Sequence, residues 1–334
     1  MKDKKVLSVG VIGLGIGNIH AKAIQKNKNA KLSFISDKKR IFKKLSKKFK
    51  CKFTKDARVI LNNKLTKLVS IASYDNYHFS QIMSCIKKKK HIFVEKPFCQ
   101  NIEQYKKIKR GLCGKKIYFS TNFVLRNHPK FKKIFQIIKN KKLGKIYHIE
   151  GDYNYGRLYK LTSGWRGNIP YYSVTQGGGI HMIDLMIWYI KSLPKTVIAN
   201  GNKISTKNSK FKFLDNVTSL ITFKNGVTAK VSSNFSCVMP HDHQMRIFGT
   251  KGSLTLSNDK ILFYASREKN KKIKTIFFRK DKNYKSKILD EFINSIVERK
   301  KFKLISKKEV FSSMATCLAI DKSIKTKKIE KVKI

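Results

Sequence analysis

The sequence predicts an α/β protein with a doubly wound parallel sheet in its first half and antiparallel sheet in its second. Three observations carry this. β-branched runs alternate with helical patterns from residue 6 to residue 123. Glycines interrupt the first alternation, and an acidic residue closes the strand after it. Further on, Asn225-Gly226 is flanked on both sides by alternating apolar residues, a β-hairpin signal. At 334 residues the chain exceeds a usual single core, so two domains are expected, 1–122 and 123–334.

In order, "VLSVGVIGLG" (Val6 to Gly15) predicts a buried strand that stops at glycines, and Asn18 to Asn27 a helix. "AKLSFISD" (Ala30 to Asp37) predicts the next strand. "KKRIFKKLSKKFK" (Lys38 to Lys50) reads as a helix with a lysine-covered polar face. Strands follow at Leu68 to Ser73, His91 to Glu95 and Lys115 to Phe123, with helices between them, one near Tyr77 to Lys88. A helix near Pro129 to Lys142, ending at Gly144, opens the second half, and Val217 to Phe235 spans the hairpin.

The glycine region has a physical reading. Gly13, Gly15 and Gly17 let the backbone turn tightly and approach a pyrophosphate, which the following helix N-terminus attracts. Asn18 stands where a third glycine is usual. Asp37 lies 20 residues after Gly17, the spacing at which a carboxylate accepts hydrogen bonds from an adenosine ribose. A carboxylate repels a 2′-phosphate, so the cofactor expected is NAD, although Lys38, Lys39 and Arg40 leave NADP open.

Two residues are candidates for chemistry. Lys96, in "VEKPF", ends a strand at the edge where a dinucleotide lies, and Pro97 keeps it out of helical geometry. A lysine there can serve as acid, base or alkoxide stabiliser. The second is His181, in "QGGGIHMIDLMIW". Gly177 to Gly179 read as a loop whose backbone passes close to a ligand, with the helix starting near His181. His181, Asp184, Leu185 and Trp188 share one helical stripe, so its first turn can face a cleft while the rest packs inward. Asp184 is expected to orient His181 or to cap the helix start. In "SGWRGNIPYYS", Arg166 is positioned to grip an anionic substrate group, with Trp165 and Tyr172 beside it. His241 and His243 form a His-x-His pair with no third ligand at suitable spacing, so no metal is expected and His241 is placed at the substrate.

The net charge of +55 raises nucleic acid as a partner. Against it, 75 basic residues include only 10 Arg, and the lysines are spread along the whole chain. No specific nucleic acid is expected. Six cysteines without C-x-x-C spacing suggest reduced thiols and a cytoplasmic protein. The basic, apolar N-terminus has the outline of a secretory signal, but its patterned glycines and continuing strand–helix alternation favour a folded domain. No apolar run is long enough for a membrane span.

The chain resembles the Gfo/Idh/MocA oxidoreductases. The matching features are the glycine loop followed by His20-Ala21, "ASYDNYH", "EKP", "LGKIYHIEGDY", "GGGIHMID", "FKNG" and "FGTKG", in order over nearly the whole chain. The resemblance implies an N-terminal Rossmann domain and a C-terminal α/β domain with a large, mostly antiparallel open sheet, often used for dimer or tetramer contacts. It implies NAD(P)-dependent hydride transfer to or from a hydroxyl-bearing carbon of a sugar, nucleotide sugar or polyol. The family's EKP lysine falls on Lys96, in a Lys–Pro bond that is often cis, and its active-site histidine falls on His181. By the same resemblance, Ile19, Ser73, His78, Glu95 and Asn122 join the cofactor site, and Arg126 joins the substrate site. One departure is Gly177, where many members carry Asp. It leaves a second reading open, an NAD(H)-binding sensor without turnover. A basic nucleic-acid binder is the third.

Overall fold

The structure is a computed structural model describing residues 6–257, 259–268, 273–279, 281 and 283–334. Its elements run β1 (Leu7–Ile12), α1 (Gly17–Lys26), β2 (Ala30–Ser36), α2 (Lys44–Phe49), β3 (Lys52–Thr54), α3 (Ala57–Asn62), β4 (Leu68–Ile71), α4 (Asp75–Lys87), β5 (His91–Val94), α5 (Ile102–Leu112) and β6 (Phe119–Thr121). Then come α6 (Pro129–Lys139), β7 (Ile146–Asn154), α7 (Tyr159–Thr162), α8 (Ile180–Ile190), β8 (Pro194–Asn202), β9 (Asn216–Phe223) and β10 (Thr228–Asn234). The chain closes with β11 (Asp242–Gly249), β12 (Ser253–Leu256), β13 (Lys260–Tyr264), β14 (Lys274–Phe277), α9 (Tyr284–Val297), α10 (Lys307–Thr326) and β15 (Glu330–Lys331).

Two compact units result, Met1–Asn127 with Lys282–Val310, and His128–Asp281 with Phe311–Ile334. The first is built on six parallel strands in the order β3-β2-β1-β4-β5-β6, the doubly wound arrangement. Helices cover both faces of such a sheet, so its strands are apolar almost throughout. Val9, Val11, Leu68, Val69, Ile92 and Phe93 are all fully buried. β1 ends at Ile12, short of the predicted Gly15, because Gly13 turns the chain at φ +84°. β6 is shorter than predicted because Lys115 and Lys116 are exposed and outside the ladder. The predicted lysine-covered helix is a 3₁₀ turn, Arg40–Lys43, running into α2, which buries Phe49.

The sequence reading kept 123–334 together, but α9 packs in the first unit. Its apolar stripe, Ile288, Leu289, Phe292, Ile293 and Ile296, is buried, with Phe292 against Phe93 (ring centroids 5.4 Å apart). A stripe shows that a helix packs; it does not name the sheet that receives it.

The second unit carries nine strands in the order β14-β13-β12-β11-β7-β10-β9-β8-β15. All pairs are antiparallel except β7 with β10. The hairpin falls where Asn225-Gly226 predicts it. β9 and β10 pair with Thr222 opposite Thr228, and Gly226 takes φ +86° in the turn.

Candidate active site and cofactor cradle

At the carboxyl end of β1 the chain forms a cradle. A Cβ on Gly13 would lie 2.4 Å from the Ala72 carbonyl oxygen, so only glycine fits. Gly15 faces open space, with nothing within 4 Å of a Cβ there. Gly17 packs against Val11 and Ala72, bringing the start of α1 close to the sheet. Asp37 braces the loop. Its Oδ2 accepts from the Leu14 amide at 2.7 Å and its Oδ1 from the Lys39 amide at 2.9 Å. Asn18 Oδ1 and Asn122 Oδ1 are buried acceptors with no hydrogen-bond partner among the described residues. An open glycine, a helix start and unfilled acceptors fit a dinucleotide. Ile19 is half-buried in the first turn of α1. Ser73, after β4, donates to Gln81 Oε1 at 2.8 Å.

The next corner lies at the ends of β4, β5 and β6. Glu95 Oε1 accepts from Asn122 Nδ2 at 2.7 Å and lies 3.1 Å from His20 Nε2. Burial pushes this carboxyl up, but His20, Asn122 and the nearby Lys96 charge outweigh it and hold it down at about 2. Glu95 is therefore an anion at neutral pH, and the half-buried Lys96 follows it directly. The Lys96–Pro97 bond is cis, as the resemblance implies.

In the second unit, α8 brings His181 into a buried group of rings. Tyr153 on β7 is its centre, with ring centroids 6.2 Å from His181, 5.2 Å from His241 and 5.0 Å from His243. His243 is pushed well below its ordinary value by burial and by the neighbouring His241, Lys130, His181 and His128. Burial raises the Tyr153 phenol. Both rings are neutral at pH 7 and can exchange hydrogen bonds without carrying charge. Nearby, Lys130 Nζ lies 3.5 Å from Asp242 Oδ1, which offsets part of the cost of burying that ammonium; burial still holds Lys130 below its ordinary value.

Several expectations change. Gly177 to Gly179 are not an open loop. They form a π-helical turn, Thr175–Gly179, that runs into α8. Their lack of side chains makes room for rings and hydroxyls of the same unit. Added Cβ atoms would meet Tyr172 Oη at 2.1 Å, Tyr153 Cε1 at 2.5 Å and Ser233 Oγ at 2.1 Å, in that order. Tyr172 thus fills the space that a side chain at Gly177 would need. Asp184 lies beyond the first turn of α8 and is buried, so it is no helix-start cap. Arg126, expected at the substrate, is fully buried in the first unit, where it donates to the Leu304 carbonyl at 2.8 Å and pairs with Glu309 at 2.9 Å. His78, expected at the cofactor, is also buried, with its ring nitrogens 2.7 Å from the Pro97 carbonyl and 3.0 Å from the Ser73 carbonyl. Arg166 is held by Tyr172, whose hydroxyl accepts from its Nε at 3.0 Å, and lies 4.7 Å from the Trp165 ring.

Two family models match the chain. "Oxidoreductase family, NAD-binding Rossmann fold" covers residues 7–123, and "GFO/IDH/MocA C-terminal domain" covers 131–255. The chain belongs to the Gfo/Idh/MocA oxidoreductase family. Its first unit is an NAD-binding Rossmann fold. Myo-inositol 2-dehydrogenase of Thermotoga maritima is 26% identical over 262 residues, 75% of each chain. The 2,7-anhydro-N-acetylneuraminate hydratase of Escherichia coli is 22% identical over 75% of this chain and 68% of its own. Levoglucosan dehydrogenase, solved with NADH and levoglucosan, superposes with a TM-score of 0.87 at 19% identity, covering 98% of this chain and 99% of its own. That likeness is one of fold. Among the described residues no helix is long and apolar enough to cross a membrane.

Sequence reasoning missed two residues at these corners. His20 was visible only as part of a motif; its contact with Glu95 spans 75 positions. Tyr153 sits on its strand as an ordinary alternating position, and nothing local marks it; His243 was visible only as half of the His-x-His pair.

Proposed function

We propose that this protein transfers a hydride between a nicotinamide dinucleotide and the carbinol carbon of a sugar, nucleotide sugar or polyol. The observation that carries this reading is the β5 corner. Lys96 stands at the carboxyl edge of the NAD-binding sheet beside a carboxylate held ionised by two donors. An anion there favours the ammonium form of Lys96, the form that stabilises a developing alkoxide.

In this reading the bound nicotinamide supplies a carbon that accepts or returns the hydride. His181 takes the hydroxyl proton, the general-base role for which an imidazole nitrogen is suited. Lys96 stabilises the negative charge that grows on the substrate oxygen. Asp37 favours a free ribose 2′-hydroxyl, hence NAD over NADP. The two named relatives, a dehydrogenase and a hydratase, leave substrate and net reaction open within the family.

The test is fluorescence titration with NADH and NADPH at low and near half-molar salt, followed by NAD⁺ reduction across a panel of inositols, anhydrosugars and nucleotide sugars. Salt matters because a chain of net charge +55 attracts polyanions nonspecifically. Salt-resistant NADH binding with turnover on at least one panel member is expected. Binding without turnover on any of them would favour the sensor reading. Binding that vanishes in salt would remove the oxidoreductase reading itself.

A further inference from the structure

Two buried histidines flank Lys96, and the reaction as proposed uses neither. On the upstream side, His20 of α1 lies between β4 and β5. Its Nδ1 is 2.8 Å from Ser70 Oγ and its Nε2 is 3.1 Å from Glu95 Oε1. One proton arrangement satisfies the contacts to Ser70 and Glu95, with His20 Nε2 and Asn122 Nδ2, 3.1 Å apart, as neighbouring donors to one oxygen. The Ser70 hydroxyl donates to Nδ1, while Nε2–H and the Asn122 amide both donate to Glu95. Phe93 packs edge-on against the imidazole at 5.5 Å and fixes its plane. On the downstream side, His78 of α4 reaches the Pro97 carbonyl at 2.7 Å and the Ser73 carbonyl at 3.0 Å. Both oxygens can only accept, so an imidazole with one N–H donates to one of them and packs against the other, and the doubly protonated ring donates to both; either way the ring sits between the residue after Lys96 and the loop that follows β4.

Ser70, His20 and Glu95 have the composition of a nucleophilic triad. Ser70 is 0% exposed in a central strand, so no substrate reaches it.

We propose that His20 and His78 are positioning residues that clamp the Glu95-Lys96-Pro97 corner from both sides and so fix where the Lys96 ammonium acts. The proposal rests on the reading of Lys96 as the group that meets the substrate oxygen. A lysine stem has four flexible carbons, so its reach is only as well defined as its anchor. Misplacement of a reacting group by about 1 Å costs on the order of 100-fold in rate. Ser70, Glu95 and Asn122 come from β4 and the ends of β5 and β6, and the two histidines from α1 and α4, so the clamp draws three neighbouring strands and two helices onto one dipeptide.

The test compares wild type with His20→Gln, His20→Leu, His78→Gln and Lys96→Met. NADH affinity is measured by fluorescence, kcat with NAD⁺ and either myo-inositol or levoglucosan, and amide exchange over residues 94–98 by mass spectrometry. All histidine variants are expected to bind NADH within about twofold of wild type, while kcat falls about 10- to 100-fold. Exchange at 94–98 should rise about tenfold or more. His20→Gln, which returns one donor to Glu95, should keep more activity than His20→Leu. A residue needed only for packing predicts the reverse order, because leucine fills a buried site well. Wild-type kcat and exchange in His20→Leu and His78→Gln would overturn the clamp. Undiminished kcat in Lys96→Met would instead overturn the role given to Lys96. The exchange arm needs no substrate, so it decides the clamp even if neither polyol is turned over, a result that counts only against the dehydrogenase reading.

Discussion

The corner around Glu95 and the ring group around Tyr153 are held by different forces. Glu95 is a buried charge, and it is stable there because donors from His20 and Asn122 are aimed at it. Tyr153, His181, His241 and His243 are held by ring packing, with His243 driven to its neutral form. A charge in low dielectric needs directed partners from fixed positions, so its neighbourhood is rigid and specific. Neutral rings need only close contact, so their neighbourhood depends on shape. The glycines mark this second case. Gly177 to Gly179 are a hollow into which Tyr172, Tyr153 and Ser233 fit.

The largest expected effect separates the two corners by chemistry. Lys96→Met should lower kcat about 10³-fold with NADH affinity nearly unchanged, read from steady-state rates beside a fluorescence titration. His181→Ala should follow with a loss of about 10²-fold, again with NADH binding intact. Unchanged turnover in His181→Ala would remove that residue from the mechanism.

Next, Gly178→Ala attacks the hollow alone. Its methyl would lie 2.5 Å from Tyr153 and 2.7 Å from Phe235, so a loss of about 1–3 kcal/mol is expected in denaturant melts. NADH affinity should hold, because the cradle lies in the first unit. A wild-type melt would show that the rings are loosely packed.

Acid should unfold the two corners in different windows. The Glu95 carboxyl is held below its ordinary 4.5 at about 2. Its contribution, on the order of 3 kcal/mol, is complete above about 4.5 and is lost as pH falls from there toward 2. His243 is held below its ordinary 6.5, so its contribution is complete above that value and declines as pH falls beneath it. Melts of wild type minus His243→Gln should therefore diverge as pH falls below about 6.5. Melts of wild type minus Glu95→Gln should keep a constant gap until about pH 4.5. Identical windows would contradict the contrast between a charged corner and a neutral one.

The smallest effect tests the cofactor lean. Asp37→Ser should reduce the preference for NADH over NADPH several-fold, with stability lowered slightly because the Leu14 and Lys39 amides lose their acceptor. No change in preference would move the discrimination to Lys38 and its neighbours.

Much of the first unit was legible because its signals are local. A strand buried on both faces must be apolar, a tight turn at φ +84° must be glycine, and Asp37 closes its strand at a fixed distance from Gly17. Lys96 was legible by place, at a strand end before proline. The meaning of Gly177 to Gly179 was not, since the same three residues serve an open loop or a helical turn packed under aromatic rings. The partners of Arg126 and His78 were not legible for a related reason. Side-chain type says what a group can bond, and only the fold says that Glu309 and the Pro97 carbonyl are the partners.

The sequence alone determined the alternation of elements, the cradle and the hairpin, because each depends on backbone sterics and on spacing within about 30 residues. Tertiary structure decided that α9 returns to the parallel sheet and that His20 meets Glu95 across 75 positions. It also decided that three histidines gather on Tyr153. Those contacts are fixed by burial and by the need to satisfy a buried charge, and both depend on every element that closes around them.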